Sequence, residues 1–348
     1  MAFLDEVKEK SKVLRDLIAF YRRDEGRSLL EKLWAMASRR PRSFIFTGMG
    51  TSEFVSQVLV EYLSKKSPVP FVFWEAGELL HYGIESIRDD DVVIAVSQSG
   101  ESIETRRITE HLSYHLRLVA VTNNPESYMA RYSRVNLPML AGKEASISNK
   151  TYSNSMALML LIGRALIGED YDEVLANLEQ VANEMDRFLA ERQNEIAQAA
   201  ELLRDATFVY FISRGPSLAA ARQAGLTYQE GVRIFTSVLP GGSFRHGPFE
   251  IVGQGHYAIM FASDGHGGDL VRNMALEMAE LGSKVVLFTS KNAGEHKNLL
   301  NIVLMPAAPE LFPLACALPQ ELLLYRMAAD RGWEAGVFQR GSKVTLRE

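Results

Sequence analysis

Ser97-Gln98-Ser99-Gly100 is the stretch best equipped for chemistry. Two hydroxyls, a carboxamide and a glycine follow directly on the apolar run Val92–Val96. Such a run is that of a strand buried on both faces of a parallel sheet. A helical stretch begins near Ser102. Strand, hydroxyl-rich turn and helix start together aim backbone N–H groups, side-chain hydroxyls and the positive end of a helix dipole at one point. That point suits a phosphate dianion, and no lysine is needed to hold it. A lone S-x-S turn also serves as a plain helix cap, so the rest of the chain has to decide between the two.

The elements that must position this turn can be read in order. Leu4, Val7, Leu14, Leu17 and Ile18, then Leu29, Leu30, Leu33 and Met36, predict two helices broken at Gly26. A strand over 43–47 ends in Gly48-Met49-Gly50-Thr51-Ser52, and a helix follows through Tyr62. Strands are predicted over 71–74, 92–96, 118–122 and 135–139, with helices after Glu75 and from Ser102 to about Leu116. Alternation of this kind makes a doubly wound parallel sheet. Long helices are expected over 151–203.

The second half repeats the first. Phe208–Ser217 overlies Phe44–Ser52, with Gly215 over Gly50 and Ser217 over Ser52. Tyr257–Asp264 overlies Val92–Ser99 at the same offset, and the strands at 284–289 and 301–305 echo those at 118–122 and 136 onward. This is an internal duplication. The fold class is therefore α/β: two tandem doubly wound parallel-sheet domains (flavodoxin-like three-layer sandwiches) joined by long helices. The expected limits are a helical segment over 1–30, a first sheet domain over 31–168, a helical linker over 169–203, a second sheet domain over 204–335, and a tail over 336–348. The copies differ where chemistry matters: Ala262 stands for Ser97 and Asp264 for Ser99. A carboxylate repels a phosphate, so one anion site is expected, in the first copy.

Composition sets the bounds. At 348 residues the chain exceeds one core, and 47% apolar content with a net charge of −5 describes a soluble globular protein. Arg39-Arg40-Pro41-Arg42 is too short for a nucleic-acid surface, and the apolar run Met156–Ile167 is too short to cross a membrane. The one cysteine, Cys316, fits packing in a reducing cytoplasm, and no signal peptide is read at the start. Gly48-Met49-Gly50 lacks the third glycine of a dinucleotide fingerprint, no phosphate-binding G-x-x-x-x-G-K-S/T run occurs, and His81, His111, His115, His256, His266 and His296 have no ligand spacing. No cofactor and no metal are expected.

Gly50-Thr51-Ser52, Ser97-Gln98-Ser99-Gly100-Glu101-Ser102, Lys150-Thr151-Tyr152 and Phe244-Arg245-His246-Gly247-Pro248 together resemble the sugar isomerase (SIS) family. The resemblance covers about residues 30 to 348 and includes the isomerase half of glucosamine-6-phosphate synthase, amino-sugar phosphate deaminases and fructosamine-phosphate deglycases. It implies two SIS domains, a cytoplasmic homodimer, and a sugar 6-phosphate held at the strand ends of the first domain. Gly50, Thr51, Ser52, Ser97, Gln98, Ser99 and Ser102 resemble the phosphate-binding positions. Ser146 and Ser148, in a loop one residue shorter than the family's, resemble the stretch that touches the sugar hydroxyls. Glu230, sixteen residues before His246, resembles the proton-transfer glutamate, and His246 the ring-opening histidine. Lys343 resembles the C-terminal lysine, although Ala335–Arg340 departs from the family's acidic, proline-rich approach.

The chemistry implied is aldose–ketose interconversion. A carboxylate can carry a proton between carbons 1 and 2, and a histidine can shuttle the ring proton. A lysine can stabilise oxyanion charge or form an imine with an open-chain ketose. No glutaminase-type region with an N-terminal cysteine is found, and Thr227 stands where the synthase carries a lysine. The expectation is thus an amino-sugar 6-phosphate isomerase that releases ammonia, in the manner of a glucosamine-6-phosphate deaminase. A fructosyl-amine 6-phosphate deglycase is the alternative. A non-catalytic phosphosugar-binding regulator is the reading from another class; two domain copies and no added module argue against it.

Overall fold

The computed structural model describes residues 2–115, 117–340 and 342–343. Leu116, expected as a helix end, and residues 341 and 344–348 of the expected tail lie outside the described residues. Strands β1 (Phe44–Gly48), β2 (Phe71–Glu75), β3 (Val92–Val96), β4 (Leu118–Thr122) and β5 (Val135–Pro138) form a parallel sheet in the order β2-β1-β3-β4-β5. Strands β6 (Phe208–Ser213), β7 (Phe235–Pro240), β8 (Tyr257–Ala262), β9 (Lys284–Thr289) and β10 (Leu299–Val303) form a second, ordered β10-β9-β8-β6-β7. The two windings are the same. Every residue of β3 and β4 is buried, as helices on both faces of a parallel sheet require.

Strand β7 was not among the sequence expectations. It is an edge strand that no apolar run announces: Phe235 is exposed and Thr236 and Ser237 interrupt it. The duplication does announce it, since it sits at the offset that carries β2 onto the second half. The N-terminal region also differs. Three helices, Ala2–Lys8, Lys10–Arg22 and Asp24–Ala37, replace the two expected, and Gly26 lies inside the third. A Cβ there would stand 2.5 Å from the carbonyl oxygen of Phe20, so this glycine serves close packing against the preceding helix end. The helix after the Ser97 turn is short, Ile103–His111, and the long helices are Lys150–Ile167, Asp172–Glu191 and Gln193–Leu202.

The chain gathers into two compact units that trade short segments. One holds Ser11–Glu144, Lys150–Ala182 and the chain from Phe338 onward; the other holds the chain up to Lys10, Ala145–Asn149 and Asn183–Val337. The first unit is centred on Ile45, Val93, Ala95, Leu118, Ala120 and Met129. The second is centred on Ile212, Phe244, Met260, Met274, Val285 and Leu287. In the second unit Lys10 and Glu321 form an ion pair at 2.7 Å with both side chains fully buried, and Cys316 lies buried in the helix Phe312–Asp330. Among the described residues no helix is long and apolar enough to cross a membrane.

His256 gives the second unit a pH-sensitive stability. Its ring stacks on Tyr210 at 5.2 Å, Nδ1 meets the Ser283 hydroxyl, and burial pulls its pKa from 6.5 down to about 4. The unfolded chain therefore takes up this proton at a higher pH than the folded one, and stability falls as pH drops from about 6.5 to about 4. The expected loss is roughly 3 kcal/mol. Denaturant titrations across that window should show a steeper decline for the native protein than for His256→Phe, which keeps the stacking and cannot titrate. Equal slopes would assign the acid sensitivity to other groups.

Candidate functional site

In a doubly wound sheet, ligands bind beyond the carboxyl ends of the strands at the point where the strand order reverses. In the first unit that point lies between β1 and β3, which pair directly, Thr47 beside Ala95. The chain leaving β1 is Gly48–Ser52, and the chain leaving β3 is Ser97–Ser102. The topology thus sets side by side the two motifs that the sequence offered separately.

The Ser97 turn is built by its own hydroxyls. Ser97 Oγ accepts the N–H of Gly100 at 3.1 Å, and Ser99 Oγ accepts the N–H of Glu101 at 3.2 Å. Each hydroxyl keeps its proton to donate. The Gln98 carbonyl accepts from the Asn123 N–H and the Thr122 hydroxyl, which ties the turn to the end of β4. Ser97 is 4% exposed, while Gln98, Ser99 and Ser102 are half-buried. Ser102 caps the helix Ile103–His111 with extended backbone and no side-chain bond, so its hydroxyl is not spent on the cap. The first-turn N–H groups of that helix face the same end, as in any helix start. The carboxylate within the turn itself is directed elsewhere: Glu101 Oε1 accepts the N–H of Tyr128 at 2.7 Å. Gly50, Thr51 and Ser52, half-buried, open the short helix Thr51–Phe54.

The corresponding turn of the second unit is neutralised from within. Asp264 accepts from Ser290 Oγ at 2.8 Å and pairs with Lys291 at 3.3 Å. The buried Arg272 guanidinium donates to the Ala262 and Ser263 carbonyls at 3.1 and 2.9 Å. An arginine and a paired aspartate occupy what the first unit leaves lined with hydroxyls.

Glu230 and His246 belong to the second unit, as do Ser146 and Ser148. Glu230 is half-buried in the last turn of the helix Leu218–Gly231. That helix is anchored by Tyr228, fully buried, whose hydroxyl donates to the Gln320 carbonyl at 3.0 Å. The buried Thr227, one residue before Tyr228, turns its hydroxyl back onto the Gln223 carbonyl. His246 is exposed and closes the short helix Gly241–Arg245. Phe244, buried against Tyr210 and Phe249, and Arg245, paired with Glu277, fix that helix on either side of its end.

The loop Ala145–Asn149 is held by Glu6. Its carboxylate accepts from the Ala145 N–H at 2.6 Å, Ser146 Oγ at 2.6 Å and Asn149 Nδ2 at 3.1 Å. Burial alone would raise the Glu6 pKa, but these donors outweigh it and hold the group below the ordinary glutamate value. The Ser146 hydroxyl, 3% exposed, is thus given to Glu6, and at Ser148 it is the carbonyl that bonds, to Gln223 Nε2 at 3.1 Å. Neither Glu6 nor this capture of Ser146 was foreseen; a glutamate on an N-terminal helix gives no signal of a loop so far along the chain.

Lys343 belongs to the first unit, with the Ser97 turn. Its Nζ lies 2.5 Å from Glu144 Oε2. The Glu144 side chain is wholly buried and also accepts from the Thr151 N–H at 3.0 Å and the Thr151 hydroxyl at 2.7 Å. Glu144 too was not singled out in the sequence.

One chain that carries the same doubly wound α/β domain twice, with a hydroxyl-lined turn at one switch point and a salt-bridged one at the other, defines the class. The SIS domain model matches residues 39–167 and 202–331, and the chain belongs to the SIS family. It is 28% identical over 302 residues to the isomerizing glutamine–fructose-6-phosphate aminotransferase of Pyrobaculum aerophilum, a match covering 84% of this chain and 49% of that protein. The chain spans about half the length of the curated relatives it matches. Among solved structures, the C-terminal domain of glucosamine-fructose-6-phosphate aminotransferase from Francisella tularensis shares the fold with a TM-score of 0.83 at 19% identity, over 97% of this chain and 98% of that one. Glucosamine-6-phosphate deaminase from Thermotoga maritima does so with a TM-score of 0.76 at 16% identity, over 100% of both chains.

Proposed function

We propose that this protein is an amino-sugar 6-phosphate isomerase that releases ammonia, working as a cytoplasmic homodimer without a cofactor. The observation that carries the reading is the Ser97–Ser102 turn: preformed, lined with hydroxyls and main-chain donors, and placed at the switch point of one unit only. In this reading Ser52, Ser97, Gln98, Ser99 and Ser102 grip the phosphate, with the Gly50 and Thr51 backbone beside them. His246 moves the anomeric proton to the ring oxygen and opens the ring. Glu230 takes the proton from carbon 2 and returns it to carbon 1, Lys343 stabilises charge on the carbon-1 oxygen, and a proton given up by the carbon-2 ammonium ends on that oxygen as it becomes a hydroxyl. The resulting imine at carbon 2 adds water and expels ammonia, leaving the ketose 6-phosphate. The family membership and the likeness to the isomerase portion of the aminotransferases support this chemistry.

The test is a substrate panel: glucosamine 6-phosphate, its epimers, and fructosyl-amine 6-phosphates. Free ammonia, ketose phosphate and aldose phosphate are measured, with light scattering for the dimer. Ammonia and fructose 6-phosphate from glucosamine 6-phosphate are expected. Release of a substituted amine instead would make the protein a deglycase. Tight binding of every sugar phosphate with no turnover would make it a binding protein and overturn the proposal.

A further inference from the structure

We infer that Glu144 is the positioning residue that sets Lys343 in place for turnover, an inference that rests on the role given to Lys343 above. Glu144 is fixed independently of the lysine. Both of its oxygens are engaged by Thr151, through the N–H at 3.0 Å and the hydroxyl at 2.7 Å. Thr151 is the second residue of Lys150–Ile167, a helix almost wholly buried along its length, and a carboxylate at a helix start is favoured by the dipole. Lys150 Nζ donates to the Lys143 carbonyl at 2.9 Å, which pins the backbone directly before Glu144.

Lys343 is not framed by regular structure. It lies in a segment whose described residues form neither helix nor strand, 199 residues beyond Glu144 in sequence, with its side chain 21% exposed. A lysine carries four side-chain torsions, and ordering them needs a strong partner. The Glu144 oxygen at 2.5 Å supplies it. The carboxylate thus acts through the lysine, and ties its place to a helix start. Both residues share a compact unit with the Ser97 turn.

The test combines kinetics with a labelling measurement that needs no turnover. Glu144→Gln should lower kcat by about 10- to 100-fold and leave KM within about threefold, the mark of a misplaced group and not of lost binding. Added to Lys343→Ala, it should cost less than about a further twofold, since its effect runs through the lysine. Lys343 should also be acetylated by acetic anhydride several times faster in Glu144→Gln than in the native protein, read by mass spectrometry. Glu144→Asp, which keeps the charge and withdraws it by one methylene, should behave likewise and serves if the glutamine variant does not fold. Unchanged kcat in an active native background, full additivity in the double variant, or unchanged Lys343 acetylation would each overturn the inference. Native protein inert toward every sugar phosphate would sink the functional reading instead, and the acetylation rates would still decide whether Glu144 holds the lysine.

Discussion

Glu230→Gln is expected to abolish ammonia release while sugar-phosphate binding stays within about threefold of native. The expected loss in kcat is on the order of 10³-fold, the usual range for removing a general base. The substitution is isosteric, and the helix bearing Glu230 is held by other residues: the Tyr228 hydroxyl on the Gln320 carbonyl and the Thr227 hydroxyl on the Gln223 carbonyl. Tyr228 is also packed edge-on against Phe211 at 5.1 Å. The helix should therefore keep its place, and a melting temperature measured beside the rate separates any structural cost from the loss of chemistry. Titration calorimetry with the substrate gives the binding arm, and initial ammonia release gives the rate. Binding should survive because the proposed phosphate donors, the hydroxyls and main-chain N–H groups of the Ser97 turn, do not include Glu230. A variant that kept its full rate would place the proton carrier elsewhere.

The contrast between the two switch points explains why one turn and not both is assigned a ligand. A phosphate needs donors that are not already spent. In the first unit the serine hydroxyls accept from the turn and retain their own protons. In the second, Asp264 and Arg272 consume one another's surroundings through Ser290, Lys291 and the strand-end carbonyls. Duplication kept the fold, which depends on apolar strands and their crossovers. It did not keep the hydroxyls of the turn: Ala262 and Asp264 stand where the first copy has Ser97 and Ser99.

That distinction also sets what could be read from the sequence. The buried central strands are legible because every residue of β3 and β4 is apolar or small, and the anion turn is legible because its residues are contiguous. Strand β7 escaped because an exposed edge tolerates Thr236 and Ser237, and only its offset from β2 betrays it. The trading of segments between units left no trace in local patterning. Ala145–Asn149 lies inside the first half of the chain yet is fastened to the second unit by Glu6 and Gln223. The tail crosses the other way and brings Lys343 to Glu144. Hydrophobic periodicity reports which face of an element is buried, not which body buries it, so contacts of this range cannot be derived from it.

Gly100→Ala is expected to weaken both sugar-phosphate binding and the fold. Gly100 has a φ of +65°, and a Cβ on it would lie 2.2 Å from Ser127 Oγ, 2.5 Å from Ser127 Cβ and 3.1 Å from Thr122 Oγ1. None of these can retreat. Ser127 is fully buried and its hydroxyl caps the helix Tyr128–Tyr132 by accepting the Ala130 N–H at 3.2 Å. Thr122 is also fully buried, and its hydroxyl holds the Gln98 carbonyl at 3.2 Å. The turn itself must move, and with it the Gly100 N–H that orients Ser97 Oγ. A left-handed residue with a side chain costs about 1–2 kcal/mol and overpacking about 1–3 more. Loss of one charge-assisted donor to the phosphate should weaken binding by about 10- to 100-fold. Gly142→Ala separates the two effects. Gly142 has nearly the same φ, +66°, and nothing lies within 4 Å of where its methyl would stand, so it should bear the backbone cost alone and bind as the native protein does. Denaturant unfolding and phosphate-sugar calorimetry on both variants make the comparison. Native affinity in a folded Gly100→Ala protein would show that the anion is held somewhere other than this turn.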